Sequence, residues 1–321
     1  MSHKIDLSVF DILACPICKS KLLMLDDEHL QCSQTECSYI FPIVDGIPIL
    51  LNESSSIYSI EEFLKTMESE DISSYGLSVL NLLKRLLPKA NRNLTSKANF
   101  LKFSDQLLGS ITNPRVLVIG GRIIGKEFDS ILSDARIDFI ETDVSYGPRT
   151  QLICDSHDLP FIDGVFDGVV IQAVLEHVAD PYRCVEDIHR VLTGIGLVYA
   201  ETPFIQQVHE GSYDFTRFTH IGHRRLFRRF SEIESGVVGG PGMALAWSYR
   251  YFLLSFTKSR TMRRIITAFS HITSFWLRYF DKHLGKKPGA YDAASGYYFL
   301  GKRESNSLSD KEIVQMYRGC L

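Results

Sequence analysis

The chain has 321 residues, 45% of them hydrophobic and 23% charged, with a net charge of −3. That is the make-up of a globular protein with one large domain or a large and a small one, and it excludes a global electrostatic pull toward nucleic acid or anionic membrane. No stretch reaches the roughly 18 apolar residues of a spanning helix, the first fifteen residues lack the apolar run of a signal peptide, and a cytosolic chain is the expectation.

The first cluster of chemistry is cysteine. Cys15, Cys18, Cys32 and Cys37 follow the spacing C-x2-C-x13-C-x4-C. Two short chelating pairs separated by a hairpin-sized gap suit tetrahedral zinc, and in a reducing compartment clustered thiols point to metal before disulfides. The alternatives are four buried free thiols, or His29 as fourth ligand in place of Cys37. Cys154, Cys184 and Cys320 stand alone. Next comes "YIFPIVDGIPILL", two apolar strands around an Asp45-Gly46 turn, with Pro48 restricting the second strand to an edge or partly paired position. So much apolar surface exceeds what about 50 residues can bury alone, so the module is expected to pack on the rest of the chain. Residues 1–52 carry three Lys or Arg against seven Asp or Glu. An acidic module is a poor grip for nucleic acid, whose phosphates call for Lys and Arg. It reads as a structural and docking unit.

The string "LACPICKSKL…LQC…YIFPIVDGIPILL" resembles the small zinc-binding activator subunit of tRNA and protein methyltransferases and its bacterial single-domain relatives, over roughly residues 10–51.

Residues 53–110 read as a polar linker followed by helices: "LSVLNLLKRLLPK" ends at Pro88, and "TSKANFLKFSDQLLGS" starts at a Thr95 or Ser96 cap and stops at Gly109. From Arg115 strands and helices alternate. "RVLVIG", "IDFIETD", "QLICD", "GVVIQAV" and "GIGLVYAE" read as strands one to five. "EFDSILSD" reads as a helix, as does "PYRCVEDIHRVL", with Asp180 as cap and Pro181 in its first turn. This implies a doubly wound, mostly parallel α/β sheet whose ligand lies beyond the carboxyl ends of the strands. "EIESGVV" and "SGYYFLGKR" read as strands six and seven, for a seven-stranded sheet.

Three strand ends carry polar signals. Strand one ends at Gly120-Gly121, with Arg122 where a dinucleotide fingerprint would have its next glycine, and Gly125 three residues on. Strand two ends at Asp143, with Glu141 on the same face, and strand three at Asp155. A glycine turn admits a ligand against the backbone, and an acid after strand two can hold ribose hydroxyls. An adenosine ligand without a diphosphate needs no phosphate cradle. The loop taken alone also fits an ordinary tight turn.

"D-x-x-x-L-P-F-x-D-x-x-F-D", "L-E-H-V-x-D-P" and "E-x-x-R-V-L" are similar to class I S-adenosylmethionine-dependent methyltransferases, and with strands one and two the likeness covers about residues 115–230. The resemblance implies Gly120 and Gly121 under the methionine, with Gly125 completing the loop, and Asp143 on the ribose. It implies Asp155 and the Ser156 backbone at the adenine, Leu159 on the adenine ring, and Gln172 facing the methyl end. Val118 and Arg122 depart from the family pattern. His177, after strand four, is a candidate general base, and His209 is the alternative within "ETPFIQQVHEGSYDFTRFTHIGHRRLF"; Arg217 would then hold an acidic or hydroxylated acceptor. A second metal site from His209, Asp214, His220 and His223 is a further option. The "ETPF…H…DFTRFT" stretch also resembles methyltransferases associated with surface glycans.

The expected layout is a zinc module over 1–52, linker and helices over 53–110, a methyltransferase domain over 111–304 with a helical insertion at 243–292, and a tail over 305–321. The expected activity is O- or N-methylation of a small-molecule, sugar or lipid-linked glycan acceptor, with S-adenosylmethionine as cofactor and structural Zn2+. The alternatives are an rRNA or tRNA methyltransferase and a degenerate, partner-binding methyltransferase-like protein. The oligomeric state is left open. Within the insertion, Ile265, Phe269, Ile272, Trp276 and Tyr279 recur at helical spacing, and residues 243–283 hold seven Lys or Arg against one Asp. That pattern predicts an amphipathic element covering the acceptor site, with peripheral contact to the inner membrane face; a packed lid and a dimer contact are its alternatives.

Overall fold

The structure, a computed structural model, describes residues 7–69, 95–121 and 128–320. The helix read in "LSVLNLLKRLLPK", Arg122 and Gly125 lie outside the described residues. Four strands form the N-terminal part: β1 Leu22–Asp26, β2 His29–Cys32, β3 Ile40–Val44 and β4 Ile47–Leu50. The next seven are β5 Arg115–Ile119, β6 Asp138–Asp143, β7 Leu152–Cys154, β8 Phe166–Gln172, β9 Leu192–Pro203, β10 Phe230–Gly239 and β11 Gly296–Arg303. The principal helices are α1 Ile60–Ser69, α2 Ser96–Leu108, α3 Pro181–Val191, α4 His220–Leu226, α5 Pro241–Leu254, α6 Arg260–Ser274 and α7 Leu277–Leu284.

The eleven strands among the described residues join one sheet, in the order β1-β2-β3-β4-β7-β6-β5-β8-β9-β11-β10. The stretch from β7 to β10 is the expected seven-stranded array: parallel from β7 to β9, closed by antiparallel β11 and β10. The sheet does not stop at β7. β4 pairs parallel to it, Ile49 opposite Ile153 and Leu50 opposite Cys154, while its other edge pairs antiparallel with β3. Residues 47–50 are buried throughout, as suits a strand covered on both faces. Pro48 falls opposite Ile43 at the start of β4, before the strand meets β7, so its missing N–H removes no bond to the large sheet. Asp45 and Gly46 both have positive φ, 50° and 76°, which is the geometry of a tight hairpin turn.

Three apolar clusters pack on the sheet, the smallest formed by Ile47, Ile49, Leu51 and Ile153. On one face α2 lays Phe100, Phe103 and Leu107 on Val116, Val118 and Val170. On the other, Val185 and Ile188 of α3 join a cluster that runs without a break from Phe166 and Phe161 to Leu13, Leu30 and Phe41. The Asp180 carboxylate caps α3 by accepting from the amides of Tyr182 and Arg183. The insertion between β10 and β11 is helical, as expected. Its first helix, α5, buries Met243, Ala244, Ala246 and Trp247. The Asp281 carboxylate of α7 accepts from the amides of Gly242 and Met243 and so caps α5.

The apolar stripe of the insertion faces outward. Ile265, Phe269, Ile272 and Trp276 are 57, 53, 54 and 48% exposed, with Tyr279, Phe280, Phe252 and Phe256 comparably open. α6 buries only Ser270 and Ser274. Among the described residues, α6 turns its small serines inward and its bulky stripe outward, which does not match the packed-lid alternative.

Candidate functional site

The four cysteines converge. Cys15 Sγ lies 3.8 Å from Cys37 Sγ, Cys18 Sγ lies 3.4 Å from Cys32 Sγ, and the four sulfurs form one group within 4.8 Å. Four thiolates at that separation surround a position suited to tetrahedral zinc. His29 is not among them; its ring is hydrogen-bonded to Asp26. The longer x4 loop closes through amides of Cys37 and Ser38 donating to Gln34 carbonyl oxygen. The cluster is stitched to the large sheet by Ala14 N–H to Pro160 O, 2.9 Å, and Ile162 N–H to Ile12 O, 3.0 Å. Lys19 Nζ donates to Leu159 O at 3.2 Å.

At the switch point of the sheet, where β5 lies between β6 and β8, the strand ends bring the predicted residues together. Gly120 has φ +80°, and a Cβ there would fall 2.3 Å from Val174 Cγ2. A Cβ on Gly121 would fall 2.9 Å from Glu141 Oε2. Both glycines sit where a side chain would meet Val174 or Glu141, so the turn packs closely against its neighbours. Glu141 accepts from Arg149 Nε at 2.9 Å. Asp143 is buried, and its Oδ1 accepts from the amide and hydroxyl of Ser145, both 2.9 Å.

Asp155 caps a short turn, Ser156–Asp158. Its oxygens accept from the amide of His157 at 3.0 Å and from the hydroxyl of Ser56 at 2.6 Å, and its Oδ1 lies 2.5 Å from His157 Nδ1. Burial pushes its pKa up, but those hydrogen bonds outweigh it and hold the carboxyl below its ordinary value. Asn52 and Ser55 bind Asp158 in the same turn, at 3.0 and 2.7 Å. The segment after the cysteine module thus braces this loop, a contact no local sequence pattern signals. Leu159 is enclosed in the core and shows no exposed face.

Gln172 ends β8 and lines a cavity of about 1240 Å³ that runs past Ala173 and Glu201 to β10 and α7. Beyond it, His177 and His209 meet edge to face with ring centres 5.0 Å apart. His177 Nδ1 donates to the Tyr213 carbonyl at 2.8 Å, so in the neutral ring Nε2 carries the lone pair. Burial lowers the His177 pKa. Glu176 beside it is almost wholly enclosed; its Oε1 sits 3.7 Å from His177 Nε2, and its Oε2 is buried without a hydrogen-bond partner. Burial lifts its pKa to about 8. Glu176, His177 and His209 form a cluster that sequence reading did not assemble.

Arg217 is spent inside its own loop. It pairs with Asp214 and donates to the carbonyl oxygens of Gln206 and Thr216, which leaves it as a brace for the loop. Against burial, that pairing holds Asp214 down at about 2. His220 and His223 are not near His209: they are buried against Tyr291, Tyr297, Phe227 and Phe299. Burial lowers the pKa of both. The metal site sketched from His209, Asp214, His220 and His223 does not form.

Comparison with known proteins agrees with this division. Residues 127–200 match the family described as "Methyltransferase domain", and residues 6–46 match "Trm112p-like protein". A UPF0434 protein of Pseudoalteromonas translucida is 35% identical over 60 residues, which is 91% of its length and 19% of this chain. Among solved structures, Haemonchus contortus phosphoethanolamine N-methyltransferase 2 with S-adenosyl-L-methionine aligns at TM-score 0.41 and 14% identity, over 65% of this chain and 53% of that one. A Haloferax volcanii complex of the Trm112 methyltransferase activator with a methyltransferase aligns at TM-score 0.40 and 16% identity, over 65% of this chain and 92% of that one. Both structural likenesses are too slight to bear on activity. Residues 127–200 therefore carry a methyltransferase domain, and through its N-terminal module, whose four cysteines suit zinc, the chain belongs to the UPF0434 family.

Proposed function

We propose that the enzyme methylates a hydroxyl or amine on a small-molecule, sugar or lipid-linked glycan acceptor. The observation that carries this reading is the convergence, at one end of the sheet, of the close-packed Gly120-Gly121 turn, the buried Asp143, and a cavity reaching from Gln172 to α7. Bound S-adenosylmethionine supplies an electrophilic methyl group on a sulfonium. Gly120 and Gly121 admit its methionine part against the backbone, with Gly125 assigned to the same loop. Asp143 accepts from the ribose hydroxyls; Glu141, neutralised by Arg149, is the less suited of the two acids. Asp155 and the Ser156 backbone border the adenine, with Asp155 held in place by Ser56 and His157. Leu159 supports that wall from inside the core. Gln172 faces the reacting end.

Methyl transfer is an in-line displacement, so the chain's main work is to position the acceptor and exclude water. A hydroxyl acceptor also gains from a base. His177 is suited to the task because Tyr213 holds its Nδ1 proton and leaves Nε2 free to take one. His209, packed on it, is the second candidate. An RNA acceptor is the less favoured reading, because the module next to the site is acidic and the basic surface lies on the helical insertion.

The same reading sets residues 243–283 against the surface of an anionic membrane. Exposed Phe269, Ile272 and Trp276 with flanking Arg260, Arg263 and Arg264 are the composition of an interfacial helix. Titration of S-adenosylhomocysteine into wild type and Asp143→Ala tests the cofactor reading. Loss of about 1.5–3 kcal/mol is expected, the worth of hydrogen bonds to a charged group. Equal affinities would remove the ribose contact from Asp143.

A further inference from the structure

The large cavity holds more positive charge than the protein itself answers. Its wall includes Lys97, Lys102, Arg278, Lys282 and Lys286, against Glu201, Glu234 and Asp281. Each of the three acids already has partners. Glu201 accepts from Ser96 at 2.9 Å and from Tyr199. Glu234 pairs with Lys102 at 2.7 Å and accepts from Tyr298 at 2.8 Å. Asp281 is taken up in capping α5. Among the described residues, the other four cations face no acid.

Arg278 stands out within this group. Its Nη2 donates to the Tyr279 hydroxyl at 3.2 Å, but Nε and Nη1 are sealed from solvent with no hydrogen-bond acceptor. Two buried donors of a charged group left without partners carry a desolvation cost, which an anion would repay once the Arg278 side chain turns toward the cavity that it lines. Nε and Nη1 lie on a guanidinium, whose planar fork suits the oxygens of a carboxylate or phosphate. Lys282 lies one turn along α7, and Lys286 follows just past its end. Three cations on one wall exceed what a single carboxylate would balance and match a phosphate or diphosphate.

We propose that Arg278, with Lys282 and Lys286, holds a phosphoryl or diphosphoryl group of the methyl acceptor. This deepens the methyltransferase reading and rests on it, because the opposite end of the cavity is lined by Gln172 and Ala173 at the end of β8. An acceptor anchored by its phosphate at α7 would extend its remaining groups toward that end. The same chemistry serves a soluble nucleotide sugar and a lipid-linked phosphate; the exposed aromatic face of the insertion beside α7 suits the second source.

The test uses full-length, zinc-loaded protein and calorimetric titration with inorganic diphosphate, UDP-glucose and farnesyl diphosphate. S-adenosylhomocysteine binding, measured alongside, tests the cofactor reading independently. Diphosphate should bind wild type and lose at least about tenfold in affinity in Arg278→Gln, the loss of a charge-assisted pair. The double variant Lys282→Gln/Lys286→Gln, altered only at exposed positions, should lose affinity in the same direction. S-adenosylhomocysteine affinity should stay within about twofold throughout, since neither variant touches the strand ends that hold it. Tighter binding of farnesyl diphosphate than of UDP-glucose would assign a lipid-linked source, and the reverse a soluble one. Failure of all three phosphorylated probes to bind protein that binds S-adenosylhomocysteine, or equal binding to wild type and both variants, would overturn the proposal.

Discussion

The N-terminal module and the helical insertion are both additions to the same sheet, and they treat their apolar residues in opposite ways. The module is acidic and small, and it hides its apolar residues by becoming part of the sheet: β4 extends the parallel array, and Phe41, Leu30 and Leu13 share one core with Phe161 and Phe166. The insertion is basic, and among the described residues nothing covers most of its aromatic stripe. A strand can merge with a larger sheet because its free edge offers backbone hydrogen bonds as well as a face. A helix has no free edge and must find a complementary surface for its stripe. The module therefore braces the end of β7 from within, through Ser56 on Asp155 and Asn52 on Asp158. The insertion leaves its stripe outward among the described residues.

The contrast is most exposed to failure at the zinc. Removing the metal, or Cys15→Ser, should destabilise the whole protein, since structural zinc sites in small modules supply about 10–16 kcal/mol of apparent binding energy and the core is shared. A single cooperative melt shifted to lower temperature is expected. A separate early transition for the module, leaving the main melt in place, would mean that the two cores are independent. Next in size, Phe41→Ala should cost about 3–5 kcal/mol in chemical denaturation, the usual cost of emptying a buried aromatic site.

A smaller effect concerns pH. Burial lifts Glu176 from its ordinary 4.5 to about 8. Between those values the folded protein keeps a proton that the unfolded chain has released, so stability falls as pH rises from about 4.5 to 8 and levels off beyond. Glu176→Gln should remove that slope, so that its advantage over wild type grows from pH 5 to pH 8. Parallel stability curves would show that Glu176 is ionised in the fold.

The smallest effect on stability belongs to the insertion. Phe269→Ala should change it by no more than about 0.5 kcal/mol, as for other surface positions. The same substitution, and Arg263→Glu with Arg264→Glu, should abolish co-sedimentation with anionic vesicles at low salt. A loss of several kcal/mol would mean that the stripe packs on protein. Wild type that ignores the vesicles would remove the membrane contact.

Period and punctuation determined much of this protein. The alternation from Arg115 onward placed each central strand to within about two residues, because buried parallel strands and an amphipathic α3 leave unmistakable apolar patterns. The thiol spacing alone selected the four zinc-suited sulfurs, since ligand geometry over a short hairpin is a local property. That Gly120, Asp143 and Gln172 lie at the carboxyl ends of neighbouring strands was legible, because strand ends in a doubly wound sheet converge by topology.

What tertiary structure alone decided was every relation between distant segments whose patterns are individually ordinary. Arg217 reads as an acceptor contact and Asp214 as a metal ligand until they are seen closed on each other. His220 and His223, near His209 in sequence, are carried by α4 into an aromatic core. Ser56 reaching Asp155 spans 99 residues. Amphipathic periodicity located the stripe on α6 but could not say whether that face would be covered. Coverage depends on the shape of the neighbour, and here Ser270 and Ser274, not the aromatics, meet it.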